Sequence, residues 1–333
     1  MRGSATPSEA ARGGDGNGTP GERAERSVAE NGSVPERLDD TASADGCPDA
    51  VSADRLAAAG SEDSGERLQS GEGDVFDTVA VNRVAYQTIL RKEIRRFTRI
   101  WVQTIVPPAV NALLYMLIFG GLIGSRISDM DGFRYMDFIV PGIIMMAIII
   151  NSYSNVVSSF FGSKFQKVIE EMLVSPISNL TILAGFISGG VARGMAVGLL
   201  VSGVALFFSD IWPTHPFVTI SVAVLTSVAF ALGGLINAVF AKSFDDISIV
   251  PNFVLTPLTY LGGVFYSIQM LPDFWQSASL FNPVLYMVNG FRYGILGTSD
   301  IPLWQSFAVI LAFIAALGTI AMVLLNRGTG IKQ

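Results

Sequence analysis

Residues 181–208, TILAGFISGGVARGMAVGLLVSGVALFF, decide the fold class. The run is longer than the roughly 20 apolar residues a helix needs to cross a bilayer core about 30 Å thick. It holds one charge, Arg193. Residues 303–325 form a second run of the same kind, and 101–123, 138–161, 217–241 and 247–266 complete a set of six. Pro251 and Pro257 interrupt the 247–266 stretch, which membrane helices tolerate when neighbours satisfy the freed carbonyls. The expected fold is therefore an all-α polytopic membrane protein with six transmembrane helices.

Working outward, the 333 residues are half apolar and only 15% charged, with a mean hydropathy of +0.48. Soluble domains carry about 25% charged residues. The net charge of −6 hides a division. Residues 1–77 hold 7 Arg, no Lys and 17 acidic residues, a net of −10, while residues 78–333 carry +4. Residues 1–74 contain no Phe, Trp, Tyr, Ile or Lys, so they cannot bury enough apolar area to offset their ordering entropy. We expect 1–77 to be a disordered, acidic cytoplasmic tail and 78–333 to be the transmembrane domain. The one Cys (Cys47) and one His (His215) leave no disulfide framework and no Cys- or His-based metal cluster. No phosphate-cradling glycine motif occurs, and the acidic balance argues against nucleic-acid binding. No catalytic residue, cofactor or metal is expected.

Orientation follows from the cations near the span ends. One side collects eleven, from Arg83 to Arg99, Lys164, Lys167, Lys242, Arg327 and Lys332; the other collects Arg126, Arg134 and Arg292. Both termini are thus expected in the cytoplasm. Before the first span, Tyr86, Leu90, Ile94, Phe97 and Trp101 recur at helical spacing among arginines, which predicts an amphipathic helix over 82–100 lying on membrane lipid. After the second span, Phe165, Val168, Ile169, Met172 and Leu173 form an apolar face opposite Lys164, Gln166, Lys167, Glu170 and Glu171. Ser163 and Gln166 read as its capping box and Pro176 as its stop. Such a helix is either a docking element for a cytoplasmic partner or a loop with none. Residues 267–300 are too polar for an ordinary span and too aromatic for a free loop, so short re-entrant helices are expected there.

The spans hold few polar residues. Gly190, Gly194 and Gly198 form a small-residue stripe that allows close helix packing, and Arg193 among them is assigned a structural role within the bundle. Asn151, Asn155 and Ser158 make one polar stripe; Ser248, Asn252, Thr256 and Thr259 make another. Stripes of this kind either join helices or line a wet cavity. No Asp or Glu lies inside a span, which weakens proton-coupled transport as a reading.

This order of elements, together with four local motifs, resembles the ABC-2 type permeases, membrane subunits of ATP-driven exporters, in their YadH-like branch. The motifs are FGSKFQKVIEEMLVSPIS at 161–178, GGVARG at 189–194, LGGVFY at 261–266 followed by LP at 271–272 and FNP at 281–283, and NGFRY at 289–293. The resemblance covers about residues 82–326. It implies that the helix after the second span couples to a separate ATPase subunit. Lys164, Phe165, Ile169, Glu170, Glu171 and Met172 form that coupling set, with Glu170 and Glu171 for polar contacts and Phe165, Ile169 and Met172 for packing. It also implies two permease chains, expected as a homodimer, with Asn151, Asn155, Ser158, Asn252, Thr256 and Thr259 lining the cavity and Pro272, Asn282 and Pro283 in an outer gate. The function implied is outward movement of an amphipathic drug, lipid or glycan. A non-transporting anchor subunit and an ion-coupled carrier are the alternatives.

Overall fold

The computed structural model describes residues 73–124, 130, 132–210, 212–328 and 330, with side chains from residue 78. Of the acidic segment expected over 1–77, residues 1–72 lie outside the described residues, and 73–77 open the first helix. Helices are the regular elements of the described residues, joined by turns and irregular stretches, with one isolated bridge between Met130 and Phe133 and no strand among them.

The longest helix is α3, Tyr135–Phe165, and it forms the centre because almost every side of it is apolar. In order around it come α1 (Gly73–Arg99), α2 (Trp101–Tyr115, continued by a π-helical turn to Ile123), α4 (Val168–Val174), α5 (Asn179–Ala205) and α6 (Pro216–Phe240). The rest is α7 (Asp246–Val250), a π-helical turn (Pro251–Leu255), α8 (Thr256–Tyr260), α9 (Asp273–Leu280), α10 (Pro283–Leu296) and α11 (Leu303–Arg327). α5, α6 and α10 pack directly on α3. The glycine stripe explains the closeness of α5: a Cβ on Gly190 would stand 2.5 Å from Val156 Cγ2, and one on Gly194 would overlap Ser152 Oγ. α2 and α11 lie at the edge and expose apolar side chains such as Val106, Leu113, Leu117, Trp304 and Leu311, a surface suited to lipid rather than water.

Five helices among the described residues are long and apolar enough to cross a membrane: Trp101–Ile123, Tyr135–Phe165, Asn179–Ala205, Pro216–Phe240 and Leu303–Arg327. The sixth expected stretch, 247–266, is not among them. Its helical part covers only 246–260, about 22 Å, and is broken in the middle. Pro251 and Pro257 cannot donate to the helix ladder, so the backbone widens into a π turn, and Thr256 Oγ1 donates to Pro251 O at 2.9 Å. Gly263, in the left-handed region at φ 73°, then turns the chain. Two short helices follow where re-entrant ones were expected. α10 is mostly buried, and its end is tied to the start of α6 by His215 N donating to Gly294 O at 2.8 Å.

α1 has two faces. Ile94 and, just beyond its end, Trp101, on the apolar side that the sequence pattern gives to lipid, are exposed, and the stripe turned to the bundle is Ile89, Glu93 and Phe97. The fully buried glutamate on that second face is held by polar partners on α3.

Candidate functional site

Four groups of polar or exposed side chains are candidates for function in this apolar bundle. The first surrounds a cavity of about 340 Å³ bounded by α2, α3, α5 and α8. α2 supplies Gln103, Thr104 and Asn111, α3 supplies Ile143, Met146 and Asn151, α5 supplies Arg193, and α8 supplies Thr256 and Tyr260. At one end Arg193 Nη2 donates to Asn151 Oδ1 at 3.3 Å. At the other, the hydroxyls of Tyr115 and Tyr260 meet at 3.1 Å.

The second group joins α1 to α3. Glu93, with no exposed surface, accepts from Ser159 Oγ and pairs with Arg96 at 3.2 Å. Arg96 also donates to Ser158 Oγ (3.2 Å), Asn155 O (2.8 Å) and Asn155 Oδ1 (2.9 Å). The α3 polar stripe is therefore divided: Asn151 lines the cavity, whereas Asn155 and Ser158 hold Arg96. In the other stripe Thr256 lines the cavity, Asn252 is exposed, and Thr259 is buried with its hydroxyl on Leu255 O.

The third group lies at the α3–α4 junction. The expected helix beginning at a Ser163–Gln166 capping box is shorter than its pattern suggests. Ser163 is buried inside α3 and accepts from Lys92 Nζ at 3.3 Å, and Gln166 closes α3 by donating its N–H to Gly162 O. Lys167 then adopts φ 61°, the one non-glycine left-handed backbone among the described residues, and α4 has seven residues. Lys164 turns away from any surface helix and donates to Val239 O (2.6 Å) and Ala241 O (2.9 Å), capping the end of α6. Ile169 is fully buried and Met172 packs against the core. Phe165 is 68% exposed, with its ring 5.5 Å from that of Phe244, and Glu171 and Val174 are exposed beside half-buried Glu170. Phe244 and Val174 had no signal in the sequence: one lies beyond α6, the other on the polar side of the helical pattern.

The fourth group lies around α10. Asn282 caps it, accepting from Val284 N at 3.0 Å, and donates Nδ2 to Leu258 O at 2.7 Å, so α10 is fastened to α8. Pro283 occupies the first helical turn and Pro272 is exposed ahead of α9. Arg292, which entered the sequence reading only as a flanking cation, is buried. It donates to Gly263 O at 2.6 Å, lies 3.9 Å above the Phe138 ring and 3.9 Å from Asp300. Asp300 also accepts from Ser267 Oγ at 2.7 Å, which brings the LGGVFY and NGFRY motifs to one point. Among the described residues no His, Cys, Asp and Glu group could hold a metal ion.

The family model described as ABC-2 type transporter matches residues 84–296. The chain is 58% identical to the inner membrane transport permease YadH of Escherichia coli strain K12 over 251 residues, which cover 75% of this chain and 98% of that one. It is 20% identical to nodulation protein J of Rhizobium leguminosarum bv. viciae over 254 residues, 75% of this chain and 97% of the relative. Nodulation protein J of Sinorhizobium fredii is 25% identical over 187 residues, 55% and 70% of the two chains.

Proposed function

We propose that this chain, which belongs to the ABC-2 type transporter family, is the inner-membrane permease subunit of an ATP-driven exporter whose hydrolysis takes place on a separate ATPase subunit. The observation that carries the reading, beyond family membership, is the surface at the α3–α4 junction. The end of α3 presents Phe165 with Phe244 beside it, and the short α4 presents Glu171 and Val174, on a basic side of the molecule. An exposed aromatic pair next to a short helix that carries two carboxylates offers an apolar anchor with polar neighbours, suited to a protein groove.

In this reading both termini face the cytoplasm, 247–266 is a discontinuous sixth crossing, and α9 with α10 form the outer gate around Pro272, Asn282 and Pro283. A second copy of the chain covers part of the exposed apolar side, and lipid covers the rest. Closure of the ATPases displaces α4. Its motion passes to α3 through the two residues between them, and to α6 through the Lys164 cap. Because residues 1–74 lack core-forming side chains, deleting 2–74 is expected to leave the membrane domain assembled in detergent.

The test is affinity purification from native membranes followed by charge reversal of Glu170 and Glu171 to Lys. A Walker-motif ATPase is expected at one per permease chain. The double variant should insert normally and lose ATP-driven transport. Unchanged transport in that variant, or no ATPase under conditions that preserve subunit contacts, overturns the reading.

A further inference from the structure

Arg193 lies near the middle of α5, where a cation without a partner costs about 2.5–3.5 kcal/mol on insertion scales. The described residues supply it with little: one neutral acceptor, Asn151 Oδ1, at 3.3 Å, and no acceptor for its Nε, which is shielded from solvent. No ion pair to Arg193 exists among the described residues. The buried carboxylate on the same side, Glu93, is committed to Arg96 and Ser159. Arg96 is held on Asn155, one helical turn along α3 from Asn151, so two guanidinium groups are fixed a turn apart. Arg96 is outside the cavity lining and paired with Glu93, so it is Arg193, without an ion pair among the described residues, that makes its end of the cavity electropositive. The other end of the cavity, about 12 Å away along α3 from Asn151 to Ile143, is apolar and aromatic.

We propose that this cavity takes an anionic amphiphile, its carboxylate, sulfate or phosphate group on Arg193 and its apolar part toward Ile143 and Tyr115. The assignment rests on the permease reading for its role in transport, though not for the binding itself. A cation would meet the like charge of Arg193. A neutral molecule would leave the guanidinium without a counter-charge. An anion can take the free Nε edge in a charge-assisted hydrogen bond while Asn151 keeps the other side. A volume near 340 Å³ is at the small end of ligand pockets, enough for a headgroup and a short apolar segment. With the termini inward, the charged end lies on the cytoplasmic side, the way an inner-leaflet amphiphile is oriented.

The experiment is equilibrium binding to the purified full-length chain in dodecyl maltoside, by energy transfer from tryptophan to pyrene-labelled decanoate, decanol and decyltrimethylammonium. Decanoate is expected to bind at least tenfold more tightly than decanol, and the ammonium more weakly than both. Arg193→Gln should bring the decanoate-to-decanol ratio to within threefold of one, and Arg193→Lys should keep most of it. Asn151→Asp keeps Arg193 and gives it an internal counter-ion, so it should cut decanoate affinity tenfold with decanol unchanged, even if the glutamine variant does not fold. Competition separates two sources of the anion. Displacement by phosphatidylglycerol and not by phosphatidylcholine in nanodiscs assigns the site to a membrane lipid, and no displacement by either assigns it to a single-chain amphiphile. Equal binding of decanoate and decanol to the wild type, or a preference untouched by Asn151→Asp, overturns the proposal. Binding needs no ATPase. Loss of anion preference with ATPase coupling intact therefore removes the site alone, and anion preference without an ATPase partner removes the permease reading alone.

Discussion

The joint between α1 and α3 makes an unequal demand on its two charged members. Arg96→Met removes the ion pair at 3.2 Å and leaves the Glu93 carboxylate, none of it exposed, with Ser159 as its remaining partner. Breaking a buried pair from that side costs about 3–5 kcal/mol. Glu93→Gln is milder. The amide oxygen still accepts from Ser159, and Arg96 keeps Ser158 and both oxygens of Asn155, with 30% of its side chain in contact with solvent. Losing one hydrogen bond to a charged group costs about 1.5–3 kcal/mol, and solvent access places this case at the lower end. The expected order is thus counterintuitive: substituting the more exposed partner destabilises by about 2 kcal/mol more. The double variant should recover at least about 1 kcal/mol relative to the sum of the single variants, since it leaves no orphaned carboxylate. Unfolding of the purified chain in mixed dodecyl maltoside and dodecyl sulfate micelles, followed by circular dichroism, measures all three. If Arg96→Met costs no more than Glu93→Gln, or the two effects add within about 0.5 kcal/mol, Glu93 is not held by Arg96 as described.

Three further outcomes are expected. Gly194→Ala should destabilise by about 1–3 kcal/mol because its Cβ overlaps Ser152 Oγ, and Ser152→Ala should restore most of the loss, as that hydroxyl has no partner; the same micelle titration reads both. Asp300→Asn should cost about 3 kcal/mol by removing the counter-charge of buried Arg292, and should speed maleimide labelling of a cysteine placed at buried Ile268, whose N–H Asp300 holds, in a Cys47→Ser background. Lys167→Val should cost about 1–2 kcal/mol more than Lys167→Gly, since only glycine adopts φ 61° without strain; protease cleavage between α3 and α4 would register the difference.

The apolar runs were legible almost to the residue where composition alone governs, as at Trp101–Ile123 and α11. They match less closely where missing N–H groups decide the backbone. Two prolines in 247–266 read as a tolerable interruption, but the π turn and the stop at Tyr260 depend on which hydroxyl reaches which carbonyl, and spacing does not encode that. The second, buried face of α1 was missed for a related reason. Periodicity assigns a glutamate to the wet side unless its partner is known, and the partner of Glu93 is 66 residues away. The same blindness covers Arg292, whose acceptor is Gly263 O, and Lys164, whose acceptors are at the end of α6. Each is a buried or half-buried cation satisfied by distant carbonyls, a pairing that leaves no local pattern.

These long-range polar contacts are not scattered. α3 carries Lys164 at one end, Asn155, Ser158 and Ser159 under α1, Asn151 beside the cavity, and Phe138 under Arg292 at the other end. Its apolar surface fixes it in the core, while its few polar or aromatic positions attach four other parts of the chain. Apolar packing in a membrane interior has no directional preference and permits sliding, whereas each hydrogen bond there fixes a register. A displacement that begins at α4 therefore has one rigid body to act on, and that body already touches the cavity and the α10 clasp. The two ends of the chain's proposed work, a cytoplasmic push and an outer gate, are linked by one 31-residue helix rather than by a relay of loosely coupled elements.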